Sequence, residues 1–213
     1  MSASATRTNP PANHRAALGE DTIGPYYPYH FVDGDRSDLT LLHRGLNVRP
    51  QGQPIVLRGR LVDCEGQAVD DALLEFWQAN AAGVWRTPDA ATDPRLDPHF
   101  DGFGRLITTA HPFEFKTIKP GATAATPNAA ARAPHITLTI FSDGITRLVT
   151  QVFFDDEALA NAKDPVLASL SLELRARLIA RSNPATAGAP TIYDITIVMR
   201  GENETPFFDD LSS

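Results

Sequence analysis

A single cysteine, Cys64, stands in 213 residues. That excludes an intrachain disulfide and any cysteine-based metal site, and it fits a reducing compartment. No run of apolar residues reaches the length that spans a bilayer. Met1 to Glu20 is polar, rich in Pro, Ala, Ser and Asn, and lacks the apolar centre of a signal peptide. The expectation is a soluble, cytoplasmic protein. Basic runs are missing too. Lys and Arg number 19 against 26 Asp and Glu, and the net charge of -7 repels nucleic acid and anionic lipid. There is no glycine-rich phosphate loop and no nucleophile elbow. The histidines, His14, His30, His43, His99, His111 and His135, include no pair at H-x-H or H-x-x-x-H spacing. Tyrosine is confined to Tyr26, Tyr27, Tyr29 and Tyr193, with none between Asn80 and His135.

Proline and glycine, by contrast, are frequent, at 17 and 14. They break the chain into many short elements and argue against a helical bundle. Strands are expected where apolar residues alternate: Pro54 to Val62, Ala72 to Gln78, Phe113 to Ile118, Ile136 to Phe141, Arg147 to Phe154 and Thr191 to Met199. Asp63-Cys64-Glu65-Gly66 predicts a turn that pairs the first two, and Asp143-Gly144 a hairpin. Asn80 to Arg105 reads as a long irregular loop, and Gly121 to Ala131 as a surface loop of Ala, Thr, Pro and Asn. Asp164-Pro165 opens a helical segment, with Ser171 a second N-cap, so one helix or two short ones are predicted. Leu167, Leu170, Leu174 and Leu178 make its apolar stripe, and Arg181 is expected in its last turn. The fold class is mainly β: an antiparallel β-sandwich with long loops and a short C-terminal-half helical segment. Residues 1–20 are expected to form a flexible arm and 21–213 a single domain. The aromatic arm Tyr26, Tyr27, Tyr29 and the tail Phe207, Phe208 are expected to expose apolar surface that invites association.

Candidate chemistry is sparse. Asp155-Asp156-Glu157 follows a strand and precedes a helix, so a solvated loop or a helix-start charge preference explains it better than a metal site. His135 stands at the mouth of a strong strand, where a histidine hydrogen-bonded at the strand end is the simpler reading. Arg132 beside it could hold a carboxylate or pair with a surface acid. From these residues alone no complete catalytic set emerges.

Six segments taken in order carry a resemblance: Thr22-Ile23-Gly24-Pro25-Tyr26, Leu74-Glu75-Phe76-Trp77-Gln78-Ala79-Asn80, Asp101-Gly102-Phe103-Gly104-Arg105, Phe115-Lys116-Thr117-Ile118-Lys119-Pro120-Gly121, Ala133-Pro134-His135-Ile136 and Leu148-Val149-Thr150-Gln151-Val152-Phe153-Phe154. Together they resemble the intradiol ring-cleaving dioxygenases from about residue 20 onward. The resemblance implies a β-sandwich and a chemistry in which two tyrosinates and two histidines hold a non-haem Fe(III). Here Ala122-Thr123 follows Lys119-Pro120-Gly121, where the family places a ligand tyrosine, and Thr137 stands where it places the second histidine. The runs Phe154-Asp155-Asp156-Glu157, Asn161 to Leu167 and Gly201 to Asp209 resemble the α chains of the family's hetero-oligomeric branch, which acts on protocatechuate. That implies a chain that binds no iron itself and is not catalytic alone. Its catalytic β subunit would hold Fe(III), with substrate at the subunit interface. Thr22, Gly24, Pro25, Tyr26 and Arg132 would then line the substrate pocket. The alternatives are a prealbumin-like β-sandwich binding module and an autonomous dioxygenase, the latter opposed by the missing tyrosines.

Overall fold

A computed structural model describes residues 36–41, 48–123, 130–143, 146–183 and 188–208. Eight strands follow: β1 Pro54–Val62, β2 Leu73–Gln78, β3 Phe103–Ile107, β4 Phe113–Ile118, β5 His135–Ser142, β6 Thr146–Phe154, β7 Ile179–Asn183 and β8 Thr191–Val198. Three short helices lie between β6 and β7: α1 Ala158–Asn161, α2 Pro165–Ala168 and α3 Leu172–Ala176. The chain is mainly β, as expected.

The strands form one sheet in the order β3-β2-β5-β6-β7-β8-β1-β4. It divides into two four-stranded halves, β3-β2-β5-β6 and β7-β8-β1-β4. They are joined by two residue pairs, Phe153 with Ile179 and Phe154 with Ala180. The sheet is not purely antiparallel: β1 with β8 and β6 with β7 run parallel. Nor do β1 and β2 pair with each other as the turn between them suggested. After Gly66 the chain makes one bridge back, Val62 with Ala68, and then crosses to the other half. The β5–β6 hairpin forms as expected, Ser142 opposite Thr146.

Strand alternation sets what is buried. In β1, Ile55, Leu57 and Leu61 face inward and Arg58 and Arg60 outward. The inner faces of both halves share one core, in which Phe76 of β2 stacks on Phe115 of β4 with centroids 4.1 Å apart. Each such ring contributes about 2–3 kcal/mol by leaving water. A smaller cluster, Ala133, Phe153, Leu167 and Leu178, fastens the helices to β6.

Two short helices occur where one or two were expected. Asp164 caps α2, accepting from the amides of Val166 and Leu167, and Ser171 caps α3. The helical stripe ends sooner than its leucines suggest. Arg181 lies in β7, not in a last helical turn. Burial of Leu178 and the pairing of Ile179 and Ala180 with β6 outweigh local helix propensity. The tail is not free apolar surface: Phe207 packs on the main core and Phe208 on the smaller cluster. The amide of Phe208 also donates to the Val149 carbonyl at 2.8 Å. Tyr26, Tyr27 and Tyr29 lie outside the described residues.

Candidate functional site

His135 opens β5 at the sheet end where the loops after β2 and β4 meet. Asn80 shapes the first loop: its Oδ1 accepts from the amides of Ala82 and Val84 at 2.9 and 3.0 Å. Its Nδ2 donates to the Arg95 carbonyl at 2.7 Å. Gly83 has a φ of +75, and a Cβ there would meet the Ala122 carbonyl oxygen at 1.9 Å, so the two loops touch backbone to backbone. This delivers Trp85 to the histidine, with ring centroids 5.9 Å apart. Phe153 of β6 closes the other side at 5.6 Å. Trp77 stacks on Trp85 at 6.3 Å and meets Phe103 edge-on at 5.7 Å.

The imidazole is 4% exposed, and its Nδ1 lies 2.7 Å from the Ala133 carbonyl. A carbonyl only accepts, so Nδ1 carries the proton and Nε2 the lone pair. This is the strand-end hydrogen bond anticipated from sequence. Burial, with a smaller contribution from the Arg132 charge, lowers the His135 pKa to about 4, so the ring is neutral in ordinary buffers.

Arg132 precedes His135 and is anchored on two sides. Its Nε donates to Asp164 Oδ2 at 2.9 Å and its Nη2 to Gln151 Oε1 at 2.6 Å. Asp164 is fully buried and also accepts from the Ala133 amide at 2.8 Å. The same carboxylate therefore caps α2, pins the strand entry and neutralises Arg132. The sequence marked Asp164 as a cap; its second role spans 32 positions and left no local signal. Nη1 of Arg132 has no partner among the described residues. Thr22, Gly24, Pro25 and Tyr26 lie outside the described residues.

Could the residues around His135 hold a ferric ion? Thr137, two positions along β5, faces Trp77 on one neighbouring strand and Gln151 on the other. One imidazole, a hydroxyl and an amide among aromatic rings do not make the hard anionic donor set that Fe(III) requires. Tyr193 is engaged elsewhere, donating to Asp156 Oδ2 at 2.8 Å. Among the described residues no group of three His, Cys, Asp or Glu converges.

The acidic run after β6 is not simply solvated. Lys119 reaches Asp156 at 2.6 Å and Glu157 at 2.8 Å. Burial opposes its charge, but the hydrogen bonds to Asp156 and Glu157 outweigh burial and raise its pKa. Burial, then the bond to Asp156, pushes Tyr193 up to about 12. Asp155 accepts from the Ser182 amide. These groups tie the end of β4 to β6 and β8; they are a structural clamp.

The family model described as Dioxygenase matches residues 23–201. The protocatechuate 3,4-dioxygenase alpha chain of Burkholderia cepacia is 40% identical over 195 residues, 88% of this chain and 94% of that one. The beta chain from the same organism is 41% identical over 166 residues, 75% of this chain and 70% of that one. Identity does not separate the two, whereas coverage favours the alpha chain. Among solved structures, 3-chlorocatechol 1,2-dioxygenase from Rhodococcus opacus 1CP superposes with a TM-score of 0.58 at 23% identity. It covers 83% of this chain and 69% of its own, a likeness of fold alone.

Proposed function

Because this chain belongs to the intradiol dioxygenase family, we propose that it is the non-catalytic α-type subunit of a protocatechuate 3,4-dioxygenase. In the assembled αβ enzyme, protocatechuate is cleaved between its two hydroxylated carbons. Both atoms of O2 enter the product, 3-carboxy-cis,cis-muconate. The observation that carries this reading is the donor set at His135: one buried imidazole, walled by Trp85 and Phe153, with Thr137 two positions on. A chain of this family without a ferric site needs a partner that has one. That partner is the β subunit, which holds the non-haem Fe(III). The near-complete coverage of an alpha-chain relative supports the same assignment. Residues 21–213 act as one domain, its curled sheet a two-layer sandwich, with residues 1–20 an arm. The assembly is cytoplasmic.

In this proposal Thr22, Gly24, Pro25 and Tyr26 line the substrate pocket of the assembled enzyme. Arg132 joins them through Nη1, offering a permanent positive charge to the substrate carboxylate. Its anchoring by Asp164 and Gln151 favours a second reading, in which Arg132 holds the strand entry in place. Arg132→Ala in the αβ complex separates them. Substrate contact predicts an apparent KM for protocatechuate about tenfold higher or more, with catechol much less affected. A purely structural role predicts equal loss for both, or a lower melting temperature with unchanged kinetics.

The assignment itself is tested by purifying the chain alone and with its β partner. Alone it is expected to be colourless and inactive towards protocatechuate. With the partner, iron and a visible tyrosinate charge-transfer band appear together with activity. Stoichiometric iron and that band in the isolated chain would overturn it.

A further inference from the structure

The outer face of β1, β8 and β7 collects arginines in a chain whose net charge is -7. A cavity of about 510 Å³ opens over this face, and Arg58, Arg60, Arg177, Arg181 and Asp194 are among the residues lining it. Such a volume lies within the ordinary range of small-molecule sites.

What decides its character is which charges are already compensated. Asp194 is saturated. Its Oδ1 takes Arg58 Nε at 2.6 Å, and its Oδ2 takes Arg58 Nη2 at 2.9 Å and also the amide of Asn183. The hydrogen bonds to Arg58 accordingly hold the Asp194 pKa below the usual carboxylate range. Arg177 is likewise engaged, by Glu173 and by the carbonyls of Glu202 and Glu204. Arg181 stands directly opposite Asp194 in the strand register but finds that carboxylate already taken. Arg60 stands opposite Thr196, which is neutral. Among the described residues no ion pair involves Arg60 or Arg181. Their strands flank β8 and the two residues are offset by two positions along it, so their backbones lie about 12 Å apart, within reach of two long side chains. Pro112 and α3 wall the space, which suits a compact ligand better than an extended protein segment.

We propose that this cavity binds a small, multiply charged oxyanion, with Arg60 and Arg181 as its principal ligands and Arg58 and Arg177 shaping the rim. A guanidinium presents paired N–H groups that match the oxygens of a carboxylate or a phosphate. The site lies on the opposite half of the sheet from His135 and does not depend on the reading given above for that residue.

Calorimetric titration of the full chain with citrate and, separately, with inorganic phosphate tests it. At least one should bind with a Kd at or below about 1 mM in about 0.15 M salt, and more weakly as salt rises. Citrate alone identifies a carboxylate site, phosphate alone a phosphoryl site. The Arg60→Gln/Arg181→Gln double variant should weaken binding about tenfold or more, while Lys163→Gln, an exposed charge elsewhere, should not. Thr196→Glu supplies a carboxylate from within; it should abolish binding and raise the melting temperature, whatever the folding of the double variant. The proposal fails if neither anion binds at about 10 mM, or if Lys163→Gln weakens binding as much as the double variant. It also fails if the arginine variants lose only an acidic partner chain, which would make the cavity a protein contact.

Discussion

The row Phe103, Trp77, Thr137, Gln151 crosses four strands on one half of the sheet, and the row Glu114, Arg58, Asp194, Arg181 crosses four on the other. Both project outward by the same two-residue alternation. The first carries no charge; beside it, Arg105 lies over the Phe103 ring and is paired with Glu75, and Arg132 is paired with a buried Asp164. The second alternates in sign, two carboxylates with two arginines. The same backbone device thus presents a face closed by aromatic contact and a face held by ionic contact. Among the described residues, the second row leaves one arginine, Arg181, without an ion pair.

Four perturbations sharpen or break this contrast. The largest effect is expected from Asp164→Ala, which removes the counter-charge of the neutral face. Losing a buried ionic partner costs about 3 kcal/mol, the low end because Arg132 can still reach water, and losing the α2 cap about 1 kcal/mol more. Denaturant titration should show a total near 4 kcal/mol, whereas a change under about 1 kcal/mol would mean that the carboxylate is dispensable.

Acid is the second probe. The folded pKa of His135 is depressed to about 4 from an ordinary 6.5. Between these values the unfolded chain takes up a proton that the folded chain refuses. The stability associated with the neutral ring is therefore fully present above pH 6.5 and is lost as pH falls towards 4, by up to about 3 kcal/mol. Stability measured across that window should slope downward in the native chain and less so in His135→Gln. Equal slopes would place the acid sensitivity elsewhere.

A third change addresses the seam between the halves. Tyr193→Phe deletes the hydroxyl bonded to Asp156 but leaves Lys119 clamped by two carboxylates, so about 1 kcal/mol is expected. The smallest effect should come from Arg58→Gln. Its pair with Asp194 is well aligned but more than a third exposed on both sides. Thermal melts should move little, and added salt should erase the difference. A large shift would mean that the charged row is a stability element comparable with the aromatic one.

How much of this was legible in the sequence follows from range. Strands with clean alternation, such as Pro54 to Val62 and Phe113 to Ile118, declare themselves because one face is buried. β3 did not, since Phe103-Gly104-Arg105-Leu106-Ile107 is short and glycine-bearing and takes its strand form from pairing with β2. β7 was hidden inside a helical spacing of leucines, because its partner strand lies more than twenty residues upstream. The site divides in the same way. His135 and Arg132 could be named from their neighbours in the chain. Trp85 and the partnership of Arg132 with Asp164 could not, since each contact closes over tens of residues. Arg58, Arg60, Arg177 and Arg181 were visible one by one, but their convergence needed the parallel pairing of β1 with β8.

That parallel pairing has a consequence during biosynthesis. Val62 must wait for Val198, 136 positions later, before the edge of β1 is covered on that side. At about 5–20 residues per second the delay is on the order of ten seconds. Throughout it the emerging chain carries β1 with at least one unpaired edge, and with two until β4 is made, a template for the wrong neighbour on a crowded polysome. β1 is therefore the strand expected to need most protection during synthesis. Slowing translation between β4 and β8 should lower soluble yield more than the same pause placed after β8.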